Sequence, residues 1–203
     1  MIKIDKMNVV IIDYKAGNTR SLQFALSRLG MKATLSKDWT TIKAADRVFF
    51  PGVGAAGFAM AQLRESGLET LIPTLTQPVL GICLGMQLLC TASDENSAAG
   101  LGVFDTRVTA LPVAPGLKVP HMGWNQLQQE NSCLLKGLPA APYFYFVHSY
   151  AVPVVSATTA VCTHGQAFSA LLEKDNFYAV QFHPEKSGAI GAQLLSNFLT
   201  LAV

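Results

Sequence analysis

Five residues, Gly81-Ile82-Cys83-Leu84-Gly85, place a thiol between two glycines. The run Pro78-Val79-Leu80-Gly81-Ile82 reads as a buried strand, and residues 84–89 as the start of a helix. A G-x-nucleophile-x-G turn acquires meaning at such a strand-to-helix junction, where the backbone is too tight for flanking side chains. There the helix N-terminus favours the thiolate, which is the form that attacks carbon. Covalent attack on an acyl group is the chemistry this serves. A cysteine between Ile82 and Leu84 is otherwise ordinary core, so a base must be found to decide the matter.

Phe182-His183-Pro184-Glu185 supplies one. Pro184 keeps its neighbour extended, and in extended chain residues two apart point the same way. Glu185 is therefore expected beside the His183 ring, giving a nucleophile, a base and an orienting acid. His121, His148 and His164 have no carboxylate two residues away. Pro51-Gly52-Val53-Gly54 follows Arg47-Val48-Phe49-Phe50, which reads as a short strand, and lets backbone N–H groups turn toward a developing oxyanion. Val53 and Gly54, with the N–H of Leu84 after the nucleophile, are the candidate donors. Cys90, Cys133 and Cys162 lack such a setting and read as core or surface thiols. With no C-x-x-C pair and no zinc-type spacing, neither a metal nor a cofactor is expected.

The elements that must hold these residues alternate in the first half. Residues 8–13 and 32–36 read as strands and residues 18–29 as a helix, with Leu22, Leu26 and Leu29 on one face and Gly30 as its stop. Alternation of strand and helix implies an α/β fold, a mostly parallel sheet covered on both faces. The second half adds candidate strands at 102–111, 124–127, 143–147, 159–163, 169–173 and 178–182, then a closing helix at 190–201.

Of the 203 residues half are hydrophobic and 14% charged, with a net charge of +2. That suits one domain over residues 1–203 with ample core. Lys and Arg form no basic stripe, which argues against nucleic acid. Mean hydropathy is +0.33, yet the 24 uncharged positions between Glu69 and Asp94 are broken by Pro73, Pro78, Gly81 and Gly85, so no membrane span is expected. Residues 1–6 carry an acid and no apolar run, and read as a short extension. The default is a cytoplasmic protein with free thiols. No Asp, Glu, Lys or Arg lies between Lys136 and Glu173. With Met122, Trp124 and Tyr145, residues of interface type, this points to a surface that tolerates burial.

Together, Pro51-Gly52-Val53-Gly54, Gly81-Ile82-Cys83-Leu84-Gly85-Met86-Gln87 and Gln181-Phe182-His183-Pro184-Glu185 resemble the class I, triad-type glutamine amidotransferases. The resemblance implies a flavodoxin-like sheet and hydrolysis of glutamine to glutamate and ammonia through a thioester on Cys83. It assigns substrate contacts to Gly52, Gly85, Gln87, Glu95, His148, Ser149 and Tyr150. Pro120-His121-Met122-Gly123-Trp124-Asn125 and Tyr145-Phe146-Val147-His148-Ser149-Tyr150 resemble the branch that passes ammonia to a separate (β/α)8 cyclase subunit in histidine biosynthesis, as a heterodimer. In that branch Met122, Trp124 and Asn125 match the partner contact, and Tyr145 and Lys186 the ammonia exit. Lys15 stands where a small residue is common, and Ser93-Asp94-Glu95 leaves two acids for the substrate amine, spacing favouring Glu95. On the residues alone two other readings stay open. A different elbow-cysteine hydrolase, such as a γ-glutamyl hydrolase, would lack the 120–125 run. A sensor thiol would need neither His183 nor Glu185.

Overall fold

Five short strands run parallel through the middle of the molecule. The computed structural model describes residues 7–128 and 131–202; residues 1–6, read above as an extension, lie outside them. Strands β1 (Val9–Ile12), β2 (Ala33–Ser36), β3 (Arg47–Gly52), β4 (Val79–Cys83) and β12 (Phe177–Val180) pair in parallel in the order β12-β4-β3-β1-β2. Beyond β12, β11 (Gln166–Lys174) and β10 (Thr158–His164) continue the sheet antiparallel, making seven strands. The mixed sheet matches the expected α/β class.

Period-two alternation sorts the central strands into two cores. Val10, Ile12, Val48, Phe50 and Val79 face α3 (Ala56–Glu65) and α4 (Leu68–Leu71). Val9, Ile11, Phe49, Leu80 and Ile82 face α1 (Thr19–Arg28) and α6 (Gly188–Leu199) through Leu22, Leu26, Leu194, Leu195 and Phe198. Both faces of the sheet are thus covered, which leaves the ends of the strands as the place for a site. One charged side chain enters this core. Arg47 is almost wholly buried, and its guanidinium donates to the carbonyls of Phe198 and Leu201, holding the end of α6.

A short helix, α2 (Trp39–Lys43), follows β2, and α5 (Leu84–Leu88) follows β4. Sequence reading extended α5 further; it stops because Cys90 is already in β5 (Cys90–Ser93), paired with β6 (Phe104–Ala110). Its first-turn N–H groups, rather than a long helix dipole, are therefore what α5 offers Cys83. β9 (Tyr150–Ala151) pairs with β6, and β7 (His121–Gln126) forms a hairpin with β8 (Tyr143–His148). The pairing Met122↔Val147 and Trp124↔Tyr145 puts one face of that hairpin outward, while His121, Phe144, Phe146 and His148 face in.

Candidate active site

Cys83 closes β4 and caps α5, at the apex of the turn. Its φ of +54° and ψ of −111° cost a non-glycine residue roughly 1–3 kcal/mol, which surrounding packing must sustain. The crowding is direct. A Cβ on Gly85 would lie 1.8 Å from the Phe50 carbonyl oxygen, and one on Gly52 2.5 Å from the Tyr14 hydroxyl.

His183 arrives just after β12, with Nδ1 2.8 Å from Glu185 Oε1 and both side chains buried. The pairing agrees with the sequence reading; its cause does not. Pro184–Lys186 is one turn of 3-10 helix, so Glu185 folds back onto the ring instead of sharing a strand face with it. Nε2 is buried without a hydrogen-bond partner, and the Cys83 thiol points to the Val147 carbonyl oxygen, 3.8 Å away. Burial works against the imidazolium, but Cys83 and Glu185 outweigh it and raise His183 above its ordinary value. Of the two, the Glu185 contact has hydrogen-bond geometry at rest, so it is the cause that persists.

A cavity of about 330 Å³ opens over this pair. Its walls include Val53, Gly54, Leu84, Gln87, Glu95, His148, Ser149, Tyr150 and Lys186. A larger hollow of about 410 Å³ at the ends of β1 and β2, among Lys15, Lys37, Asp38 and Glu65, brings no nucleophile to a base. The smaller cavity is the one that brings the Cys83 thiol and the His183 ring together.

Three candidate residues sit otherwise than the sequence reading expected. The Val53 N–H donates to the Ala16 carbonyl at 2.7 Å, so in this conformation it is turned away from any oxyanion, and the Val53 peptide must rotate to serve as a donor. His148 spends both ring nitrogens inside the protein: Nδ1 on the Tyr150 carbonyl at 2.8 Å and Nε2 on His121 Nδ1 at 2.9 Å. It holds a cavity wall and has no nitrogen left for a substrate. Burial lowers it to about 3, and His121, buried and stacked on His164, to about 4. Asn125 bonds to the Thr163 carbonyl and His121 Nε2 on the inward side of β7, because the strand alternates and Met122 and Trp124 take the outward side. The two neighbouring acids divide cleanly. Glu95 reaches the cavity and accepts the Ala56 N–H at 2.8 Å, whereas Asp94 turns outward to Arg107 at 2.6 Å.

The family described as "Glutamine amidotransferase class-I" matches residues 10–202. The chain belongs to the class-I glutamine amidotransferases. Among curated relatives it is 52% identical to the imidazole glycerol phosphate synthase subunit HisH of Bacteroides fragilis (strain YCH46), over 96% of this chain and all of that protein. It is 50% identical to the subunit of the same name from Escherichia coli (strain K12), with the same coverage. A crystal structure titled glutamine amidotransferase superposes with a TM-score of 0.73 at 20% identity, covering 95% of this chain and 97% of that one. PurLQS from Thermotoga maritima gives 0.63 at 15%, covering 96% and 98%. At those identities the two structures speak for the fold alone.

In this amidotransferase, Met122 and Trp124 are exposed on the outer face of the β7–β8 hairpin. Trp124 stands edge-on to Tyr145 with ring centroids 6.2 Å apart, and Lys186 Nζ lies 5.8 Å from the Tyr145 ring. Sequence reasoning missed His121, which no nearby carboxylate marked, and Ala16, whose part is played by a backbone carbonyl that no side-chain pattern reveals. It also passed over Gln181, though that residue opens the motif containing His183.

Proposed function

We propose that this chain is the glutaminase subunit of an imidazole glycerol phosphate synthase. One observation carries the reading. Cys83 at the elbow and His183, backed by Glu185, open onto one cavity, in a chain about half identical to subunits of that name along their whole length. Cys83 Sγ attacks the side-chain amide carbon of glutamine while His183 Nε2 takes the thiol proton. The Leu84 N–H, and the Val53 N–H once its peptide rotates, hold the oxyanion beside Gly54. His183 returns the proton to the leaving nitrogen, and ammonia departs from the γ-glutamyl thioester. Water, deprotonated by His183, then frees glutamate. Glu95 receives the substrate ammonium, the backbone at Ser149 and Tyr150 receives its other polar groups, and Gln87, Gly52 and Gly85 shape the wall.

Ammonia in water becomes ammonium, which is not nucleophilic, so the product is best delivered through a closed route. The partner is a (β/α)8 cyclase subunit that forms imidazole glycerol phosphate and aminoimidazole carboxamide ribotide. It docks on the Met122–Trp124 face of the hairpin, with Tyr145 and Lys186 at the ammonia exit. The work is done in the cytoplasm, in a one-to-one complex; among the described residues no helix is long and apolar enough to cross a membrane. Cyclase carrying its nucleotide raises turnover by favouring the rotated Val53 peptide. The test is glutamate release measured with and without cyclase and nucleotide, for the parent and Trp124→Ala. Stimulation of the parent that weakens in Trp124→Ala supports the pair; no stimulation, or no complex at micromolar concentration, overturns it.

A further inference from the structure

Gln181 is the first residue after β12, two residues before His183, and is fully buried. A buried carboxamide is costly unless its groups are bonded, and an apolar side chain of similar size would fill the space more cheaply. Its orientation follows from a chain of donors and acceptors. The Tyr150 carbonyl only accepts, so the end of Gln87 that lies 2.9 Å from it is the amide nitrogen. The same nitrogen lies 3.0 Å from the Gln181 carboxamide, which must therefore present its oxygen there. The Gln181 NH2 is left directed at Cys83 Sγ, 3.8 Å away. The anchor of this chain is itself fixed, because His148 Nδ1 also donates to the Tyr150 carbonyl.

We infer that Gln181 is a positioning residue for the nucleophile, presenting a side-chain N–H that favours the Cys83 thiolate over the thiol. The inference rests on the reading of Cys83 as nucleophile given above. A donor helps the thiolate more than the thiol, since the bond becomes charge-assisted when the proton moves from Sγ to His183 Nε2. The need is local: α5 has five residues, and the thiol otherwise points to the Val147 carbonyl, an acceptor that favours keeping the proton on sulfur. Ionisable groups around Cys83 come from every side. They are His183 with Glu185 after β12, Tyr14 after β1, His148 on β8, and Glu95 and Lys186 at the cavity. All of them remain when Gln181 is changed.

The test uses Gln181→Met, which removes the donor, and Gln181→Glu, which sets a carboxylate against the sulfur. Iodoacetamide alkylation is followed against pH in the whole chain and read at the Cys83 peptide by mass spectrometry, because Cys133 is exposed. Alkylation at neutral pH should slow roughly three- to tenfold in Gln181→Met and more in Gln181→Glu, as the profile moves to higher pH. Glutamine turnover should fall through kcat, with KM changed less than about twofold. A residue that only filled space would change thermal stability or KM and leave the alkylation profile in place; that result in a folded variant overturns the inference. Should neither variant fold, the parent decides. The Gln181 side-chain amide signal in the ¹⁵N–¹H NMR spectrum must shift when Cys83 is carboxamidomethylated, by more than that of Gln87, and a signal that stays put overturns it equally. Failure of the glutaminase reading looks different: glutamine hydrolysis would persist in Cys83→Ala while alkylation of the parent still responded to Gln181.

Discussion

The cavity has two walls, and each sets a buried histidine close to it. On the elbow wall His183 has one nitrogen on Glu185 and the other without a partner, and it is raised above its ordinary value. On the hairpin wall His148 is lowered to about 3 with both nitrogens taken. Nearness to the cavity does not distinguish them; what each nitrogen bonds to does. In the mechanism proposed above, a carboxylate behind the ring makes a base with a free nitrogen, while a carbonyl and a second imidazole make a strut.

The sharpest way to break this contrast is to remove each group in turn. Cys83→Ala should lower glutamine hydrolysis by at least about 10³-fold, and His183→Ala should come close to it, because groups acting as one covalent unit fail together. A folded Cys83→Ala that still turns over would end the thioester mechanism. Glu185→Gln should cost less, roughly 10- to 100-fold, since an orienting residue contributes less than the base it holds. Its pH behaviour has a definite sign. The carboxylate favours the imidazolium, so its loss lowers the His183 pKa, and because His183 acts by accepting the thiol proton the acid limb of the rate profile moves to lower pH. Stability follows the same linkage. With the native value above the unfolded value of about 6.5, the contact stabilises fully below that pH and its contribution fades as pH rises through the native value. Thermal melts of parent and Glu185→Gln should therefore converge toward high pH.

The hairpin wall predicts the opposite sign and a smaller effect on catalysis. His148→Asn keeps a short amide donor near the Tyr150 carbonyl but loses the acceptor for His121, and kcat/KM should drop by about fivefold, mostly through KM. Because the native pKa of His148 is below the unfolded value, its neutral burial stabilises above about pH 6.5. That stability declines as pH falls toward 3, by at most about 1.4 kcal/mol per pH unit per histidine. The parent should lose denaturation midpoint steeply between pH 6 and 4.5, and His148→Asn less steeply. Equal slopes would mean that His148 is not held neutral.

The elbow wall was legible in the sequence and the hairpin wall was not. Gly81, Gly85, Cys83 and the spacing of His183 to Glu185 are local patterns, set by a tight turn and a few neighbouring residues. The pairing of His121 with His148 depends on strand register across 27 positions, which neither residue announces. The same holds for Val53, whose N–H is taken by a carbonyl 37 positions earlier in chain order. Among elements, α3 escaped notice because its core stripe is partly alanine, although Ala56, Ala59, Met60 and Leu63 keep helical spacing. Most second-half strands were found because β-branched and aromatic runs mark them, with ends misplaced by a few residues as bulges and bridges intervened; β9 was missed, its two residues being too few to show a pattern.

The same rule, that a group's commitments decide its role, reaches its finest test in two adjacent acids. Glu95 has one oxygen on the Ala56 N–H and lines the cavity, so Glu95→Gln should raise KM for glutamine roughly tenfold by weakening a charge-assisted contact with the substrate amine. Asp94 is already paired with Arg107 on the surface, both side chains about half exposed. Exposed pairs contribute about 0–1 kcal/mol, reduced further by salt. Asp94→Asn should therefore leave KM within about twofold of the parent and shift the melting midpoint by no more than a degree or two at moderate ionic strength. Steady-state glutamine titrations of the two variants side by side separate the acids. A KM for Asp94→Asn as high as that for Glu95→Gln would show that the amine is met by a field shared between both carboxylates, and commitment to Arg107 would no longer exclude a residue from the site.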